Sequence, residues 1–211
     1  VMVLNKQSED FINNISSTRT ELIPNFIEIN ELETSHKINE KIERVLYVGG
    51  VIESKGCLDL IELAKHFNDI EFRFIGNYES KIKKAADGVS NVVLLGAQPH
   101  ETVHDEMMKA DVFAFIGSFP GEGFSNALAE AMACGLPCLV SDWAANKDMI
   151  EDKGGIVIPV KDINSAKNAI ELMNKKEVRE KQSEFNMRKV KNNYSEEIVL
   201  EQYVDCYERT I

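Results

Sequence analysis

The sequence has few cysteines and no long apolar run. Its four cysteines include no Cys-x-x-Cys pair of the kind typical of redox or zinc sites: Cys57, Cys134, Cys138 and Cys206. No apolar segment approaches the roughly 18 to 20 residues that cross a bilayer, and the opening VMVLNKQSED lacks the charged and apolar regions of a signal peptide. These absences favour the reducing environment of the cytoplasm. Because the chain opens on an apolar stretch without an initiating Met, we also expect it to be a segment of a longer protein.

Basic residues are also scarce relative to acidic ones. The chain has 24 Lys and Arg against 35 Asp and Glu, a net charge of -11, and no basic block. The resulting field repels DNA, RNA and anionic lipid, so nucleic acid is not expected as a partner. A small anionic ligand stays compatible with this charge, because backbone N–H groups and one or two local cations can outweigh a distant net charge.

Short apolar segments alternate with amphipathic ones from residue 43 onwards. Six strands are predicted at residues 44–50, 70–76, 91–96, 111–117, 136–141 and 155–159, with a helix after each of them. This alternation implies right-handed βαβ crossovers and a mostly parallel sheet covered on both faces. The sequence therefore predicts a Rossmann-like, doubly wound α/β domain over residues 43–193. In such sheets ligands bind beyond the carboxyl ends of the strands.

The two ends of the chain are predicted to lie outside this domain. Residues 1–42 begin with a strand and a helix and continue as a polar stretch, so we expect a segment and linker from an N-terminal domain that the sequence lacks. Residues 194–211 are predicted to form a helix that packs across the domain or toward that missing one.

The segment SFPGEGFSNALAEAMACGLP, residues 118–137, is the most informative part of the sequence. Helical spacing places Phe124 and Leu128 on its buried face, whereas Glu122, Asn126 and Glu130 recur every four residues on another side. We therefore predict a helix over residues 123–134. The two acids would stand about 12 Å apart along its axis, which suits the two ends of an elongated ligand.

The start of this predicted helix is also a candidate anion site. The first N–H groups of a helix lack partners within the helix and can hold an oxyanion; here they belong to Gly123, Phe124, Ser125 and Asn126. A sugar at one acid, a diphosphate in the middle and a ribose at the other acid would satisfy all three features.

The residues EGFSNALAEAMACGLP resemble the E-x7-E signature segment of the family 4 (group 1) glycosyltransferases, which are two-domain GT-B enzymes. The resemblance covers essentially the whole chain, from LIPNFIE, which is similar to the entry into the family's C-terminal domain, to the closing helix SEEIVLEQYVDCYE. It implies that the chain is the donor-binding half of a retaining hexosyltransferase that uses a UDP or GDP sugar. A glycan or lipid-linked acceptor would be held by the absent N-terminal domain, so the isolated fragment would be inactive.

The resemblance also assigns roles to individual residues. Glu122 would contact the donor hexose, and Lys55 would neutralise the diphosphate leaving group, which makes these two the candidate catalytic residues. The N–H groups of residues 123–126 would hold the distal phosphate, and Glu130 would bind the ribose hydroxyls. No metal or other cofactor would be required. Peripheral association of the full enzyme with the inner face of a membrane is compatible with this interpretation.

The first strand departs from the family pattern. It ends in Gly49 and Gly50, which we expect to line the donor site, whereas the family usually has an arginine beside the first of these glycines. One expected phosphate-binding cation is therefore missing, and Lys147 is a candidate to assist Lys55. This departure keeps open the alternative of a nucleotide-sugar-binding module that does not catalyse.

Two further motifs have competing interpretations. HETVH, residues 100–104, has the His-Glu-x-x-His spacing of zinc hydrolases, although no third ligand is evident and the helix that would carry it is short. SDWAANKDMI replaces a Gly-Gly turn that is frequent in the family, and we expect its Trp143 to pack rather than to bind ligand.

Overall fold

The computed structural model describes residues 1–28 and 36–209. At its centre is a six-stranded, wholly parallel sheet in the order β5-β4-β3-β6-β7-β8. The strands are β3 (Arg44–Val48), β4 (Glu71–Ile75), β5 (Val92–Gly96), β6 (Val112–Phe115), β7 (Cys138–Ser141) and β8 (Gly155–Ile158). The predicted Rossmann-like, doubly wound fold is confirmed. Chain order reverses between β3 and β6, so the carboxyl ends of these two strands flank the crevice in which such folds bind ligands.

Helices connect the strands and cover both faces of the sheet. They are α2 (Cys57–Ala64), α3 (Ser80–Ala86), α4 (His100–Lys109), α5 (Asn126–Ala133), α6 (Asn146–Ile150), α7 (Ile163–Met173) and α8 (Lys176–Asn193). A short 3-10 turn, Glu53–Lys55, precedes α2. All four residues of β6 and of β7 are buried, because helices shield both sides of the inner strands.

A buried polar network fixes the register of β3 against β6. Asp111, the residue directly before β6, accepts hydrogen bonds from the backbone N–H groups of Glu43 and Arg44 at 2.8 and 2.9 Å. Arg179 of α8 is fully buried, lies 3.7 Å from Asp111 and donates to the carbonyl oxygen of Asn39 at 2.8 Å. The two strands that flank the crevice are therefore held by charged as well as apolar contacts.

The first 28 residues pack against this domain. They form β1 (Met2–Val3), α1 (Lys6–Ile15) and β2 (Glu21–Leu22), and the two strands pair in parallel. Within the stretch that the sequence suggested to be a linker, residues 21–22 form the strand β2. Ile27 is buried in the main core. The rest of the predicted linker includes residues 29–35, which lie outside the described residues.

The last helix, α9 (Glu196–Glu208), packs on the segment that contains β2. Its Val199 and Cys206 form a small buried cluster with Ile23. How the chain divides into domains, and whether α9 reaches toward a further domain, remain predictions. In the described ranges, none of the helices combines the length and the apolar composition that crossing a membrane requires.

Candidate functional site

Two loops meet at the crevice between β3 and β6, and glycines allow them to touch. A Cβ atom on Gly117 would lie 2.3 Å from the backbone carbonyl carbon of Lys55, and one on Gly56 would lie 2.8 Å from the backbone nitrogen of Gly117. The N–H of Ser118 also donates to the carbonyl oxygen of Ser54 at 3.0 Å. Any side chain at residue 117 would separate these backbones, so glycine there sets the position of Lys55.

This contact places Lys55 beside Glu122. The Lys55 Nζ donates to Glu122 Oε2 at 3.1 Å, and the two side chains are only 21% and 12% exposed. The ammonium group also lies 5.2 Å from the ring centroid of Phe119 and 5.9 Å from that of Phe115, within the range of cation–π attraction. The structure thus brings together the two candidate catalytic residues, although their roles remain predictions.

Trp143 supports the loop that carries Glu122. Its indole Nε1 donates to the carbonyl oxygen of Phe119 at 2.8 Å, and the same carbonyl accepts the N–H of Glu122 at 3.0 Å. Ala144 follows in the left-handed conformation, with φ of 51°, which glycine adopts more readily than alanine. The indole thus has a structural contact with the loop, which the sequence alone did not predict.

The helix after this loop begins later than predicted. Its N-cap is Ser125, whose Oγ accepts a hydrogen bond from the N–H of Leu128 at 3.3 Å, so α5 starts at Asn126 rather than at residue 123. Glu122 therefore lies on a loop, and the spacing of about 12 Å that a single helix would impose on it and Glu130 does not apply.

The loop still presents backbone donors. In the described part of the chain, the N–H groups of residues 123–126 have no hydrogen-bond acceptor. They lie directly after Glu122, whose carboxylate is bonded to Lys55. The predicted N–H groups are therefore available, but a loop and the first helical residue provide them together.

Glu130 lines a different depression. This cleft, of about 250 Å³, lies between α4 and α5 and is also lined by Phe26, His100 and Asn126. Burial raises the pKa of Glu130 above its ordinary value, and the charge of His100 partly opposes the shift. Glu122 instead lines a groove of about 560 Å³ together with Asn5 and Trp143. The two acids thus line separate depressions, with residues 123–129 between them in the chain.

Gly49 and Gly50 differ in how much space surrounds them. Gly49 has φ of +141°, and a Cβ atom there would lie 3.2 Å from the Tyr47 hydroxyl oxygen. That hydroxyl donates to the Gly50 carbonyl oxygen at 2.8 Å. A Cβ atom on Gly50 would meet nothing within 4 Å. The site of the missing arginine is therefore sterically open. Lys147, the candidate helper, is exposed on α6.

The HETVH motif lies on α4, as the sequence suggested, and His100 and His104 both line the cleft that contains Glu130. Over residues 1–28 and 36–209, no group of three or more His, Cys, Asp or Glu side chains is arranged to hold a metal ion. The zinc interpretation therefore has no supporting cluster in the described residues.

Two asparagines from the first 28 residues contact the loop and the start of α5. Asn5 Nδ2 donates to the Gly123 carbonyl oxygen at 2.8 Å, and Asn25 Nδ2 donates to Asn126 Oδ1 at 2.8 Å. Sequence reasoning missed both residues. The partners are separated by 118 and 101 positions, so no local periodicity could have connected them.

Comparison with known proteins gives the same family as the signature segment. A family model described as glycosyl transferases group 1 matches residues 28–191. The putative glycosyltransferase EpsF of Bacillus subtilis (strain 168) is 29% identical over an alignment of 154 residues, which covers 64% of this chain and 39% of EpsF.

Solved structures show the same fold. Sucrose-phosphate synthase from Thermosynechococcus elongatus has a TM-score of 0.83 at 20% identity, covering all of this chain and 58% of that protein. A mutant of S. aureus TarM, in complex with fondaparinux, alpha-GlcNAc-glycerol and UDP, has a TM-score of 0.83 at 23% identity, covering 97% of this chain and 43% of TarM.

The chain spans 39% to 58% of the length of these three relatives. The family model nevertheless extends from the end of the first segment almost to the end of α8, and so includes the whole sheet, the Lys55 loop and the segment with both acids. A match over this much of the chain establishes its family: the chain belongs to the glycosyl transferases group 1.

Proposed function

We propose that this chain binds the nucleoside-diphosphate sugar donor of a retaining glycosyltransferase. One observation carries the proposal: the Lys55–Glu122 ion pair lies at the crevice of the doubly wound sheet, next to backbone N–H groups that have no acceptor among the described residues. A lysine and free N–H groups suit a diphosphate, and a neighbouring carboxylate suits sugar hydroxyls. TarM, which shares the fold, has been solved with UDP.

The diphosphate would occupy the space between Lys55 and residues 123–126. Its oxygens would compete with Glu122 for the Lys55 ammonium group, so donor binding would shift Lys55 from the carboxylate to the phosphate. The released Glu122 carboxylate could then accept hydrogen bonds from hexose hydroxyls. Fixed positive charge at the leaving diphosphate would favour departure of that group, which is the main electrostatic demand of glycosyl transfer.

The nucleoside would lie toward Glu130. A carboxylate accepts hydrogen bonds from both ribose hydroxyls, and the cleft of about 250 Å³ beside it could admit the base. His100, the first residue of α4, lines this cleft and follows the loop that leaves β5. No step in this scheme requires a metal ion. The acceptor, a glycan or a lipid-linked glycan, would be bound by residues outside this chain, and the hexose would be transferred with retention of configuration.

A second candidate is a donor-binding module without transferase activity. Gly50 favours this candidate, because it provides no cation at a position where the family usually has an arginine. The two candidates predict the same donor binding by this chain. Transfer of a hexose by the full-length protein would support the first, and binding without transfer would support the second.

The proposal is tested by calorimetric titration of the chain with UDP, GDP and their sugars. We expect saturable binding of one nucleotide series, and a loss of about tenfold in affinity for Glu130→Ala, because ribose hydrogen bonds to a charged group are removed. Glu101→Ala removes an equally charged but exposed residue of α4 and should leave affinity unchanged. Absence of binding by any nucleotide would contradict the proposal, and unchanged affinity for Glu130→Ala would contradict the ribose assignment.

A further inference from the structure

Asn5 is a buried side chain that connects the start of α1 to the loop after Glu122. It is 5% exposed. Its Oδ1 accepts a hydrogen bond from the N–H of Ser8 at 2.7 Å, which caps α1, and its Nδ2 donates to the Gly123 carbonyl oxygen at 2.8 Å. One carboxamide therefore fixes the helix start and the loop relative to each other.

Capping of α1 alone does not account for asparagine at this position. Serine, threonine and aspartate accept the same backbone hydrogen bond, and they are about as effective as N-caps. Asparagine differs from them in carrying an NH₂ donor beside the acceptor oxygen. Here that donor is used on the Gly123 carbonyl. The residue type thus matches the second bond rather than the cap.

The bond to Gly123 also sets the direction of a candidate phosphate donor. In a planar trans peptide the C=O and the next N–H point in opposite directions. Holding the Gly123 oxygen therefore orients the N–H of Phe124, one of the groups without an acceptor in the described chain. Gly123 also packs beside the residue that precedes Asn5, since a Cβ atom on Gly123 would be in van der Waals contact with Leu4 Cδ1, at 3.4 Å. Movement of the segment around Asn5 would thus displace the loop.

We propose that Asn5 is a positioning residue for the sugar-diphosphate end of the donor site. The inference rests on the proposed function and extends it to a residue outside the sheet domain. Asn5 acts through Gly123 and does not itself contact the donor. It holds the loop so that Glu122 faces the hexose while the N–H of Phe124 faces the distal phosphate.

Asn25 provides an internal comparison. It makes a bond of the same length, 2.8 Å, to Asn126, but the acceptor is an exposed side-chain amide rather than a backbone carbonyl. A side-chain amide can rotate to water or to another partner, whereas the Gly123 carbonyl cannot move without the loop. Loss of the Asn25 bond should therefore leave the loop in place.

The test is calorimetric titration of Asn5→Ser. Serine keeps the cap of α1 but is too short to reach Gly123. The wild-type chain is first titrated with UDP-glucose, UDP-N-acetylglucosamine and GDP-mannose, and the tightest of these is compared with the matching nucleoside monophosphate. We expect Asn5→Ser to bind the nucleotide sugar about fivefold more weakly, the loss of one hydrogen bond, and the monophosphate as tightly as wild type does.

Two further variants and three contrary outcomes decide the inference. Asn5→Asp keeps the side-chain shape and the cap but turns an acceptor oxygen toward the Gly123 oxygen, so it should weaken nucleotide-sugar binding at least as much. Asn25→Ser should bind both ligands as wild type does. Equal nucleotide-sugar affinity of wild type and Asn5→Ser, or an equal loss for the monophosphate, would refute the positioning role while leaving the donor site intact. Failure of the wild-type chain to bind any nucleotide sugar would refute the proposed function and this inference with it.

Discussion

Glu122 and Glu130 are the same residue type eight positions apart, but their surroundings differ in charge and in packing. Glu122 is bonded to Lys55 on a loop that closely packed backbones hold in place. Glu130 lies on the regular helix α5, where burial raises its pKa. Glu122 has a cation beside its carboxylate. The carboxylate of Glu130 is partly removed from water, and this disfavours its charged form. Two acids of one signature motif therefore lie in different electrostatic environments.

The close packing of backbones beside Lys55 is best tested at Gly117. Gly117→Ala should destabilise the fold by about 3 kcal/mol, because the new Cβ would lie 2.3 to 2.6 Å from the backbone atoms of Lys55, which cannot rotate away. Chemical denaturation measures the free energy of unfolding. Gly50→Ala is the matched control, since its Cβ meets nothing within 4 Å and should leave stability unchanged. Equal stability of the two variants would show that the close approach is not required.

The charge of Lys55 gives the next largest effect. Lys55→Ala should weaken binding of the nucleoside diphosphate by roughly ten- to a hundredfold, the contribution of a hydrogen bond to a charged group. Calorimetric titration measures it. Lys147→Ala tests the candidate helper, and it should cause a smaller loss because Lys147 is exposed on α6. A comparable loss for Lys147→Ala would move the phosphate site toward α6 and away from Glu122.

A substitution at Gly50 could add positive charge just after β3. Gly50→Arg adds a cation at the position where the resembling family usually has one, and the site has room for a side chain. We expect diphosphate affinity to rise severalfold, or by about 1 kcal/mol, the scale of a partly exposed ion pair. Gly50→Ala controls for the backbone change alone. An unchanged affinity for Gly50→Arg would mean that the phosphate lies out of reach of this strand end.

The sequence predicted the sheet well and the loop around Glu122 less well. Strands such as Val112–Phe115 are runs of apolar residues buried on both faces, and each observed strand of the sheet lies within the segment predicted for it. The predicted start of α5 was wrong. Phe124 and Leu128 have helical spacing, but Ser125, which lies between them, is the N-cap of the helix. Spacing detects an apolar face but does not locate the N-cap.

Contacts between distant parts of the chain could not be predicted. The Trp143 indole donates a hydrogen bond to the Phe119 carbonyl oxygen, 24 positions away in the chain. The Asn5 amide donates one to the Gly123 carbonyl oxygen, 118 positions away. Each bond joins a side chain to a backbone oxygen, and a backbone oxygen has no identity in the sequence. Glu122 and Lys55 were found because their residue types and flanking motif carry chemical meaning, whereas the residues that support them have none that is visible before folding.

The smallest expected effect concerns the buried charge of Glu130. Its folded pKa is raised, so the folded chain binds protons more readily than the unfolded chain. The associated stability is fully present below the unfolded pKa and is lost as pH rises through the folded pKa. Glu130→Gln should therefore raise the melting temperature slightly at pH 7 and not at pH 4. Thermal unfolding at both pH values measures this difference, with Glu101→Gln as an exposed control. A destabilising effect of Glu130→Gln at pH 7 would mean that the folded chain favours the charged form of Glu130, and would contradict the raised pKa.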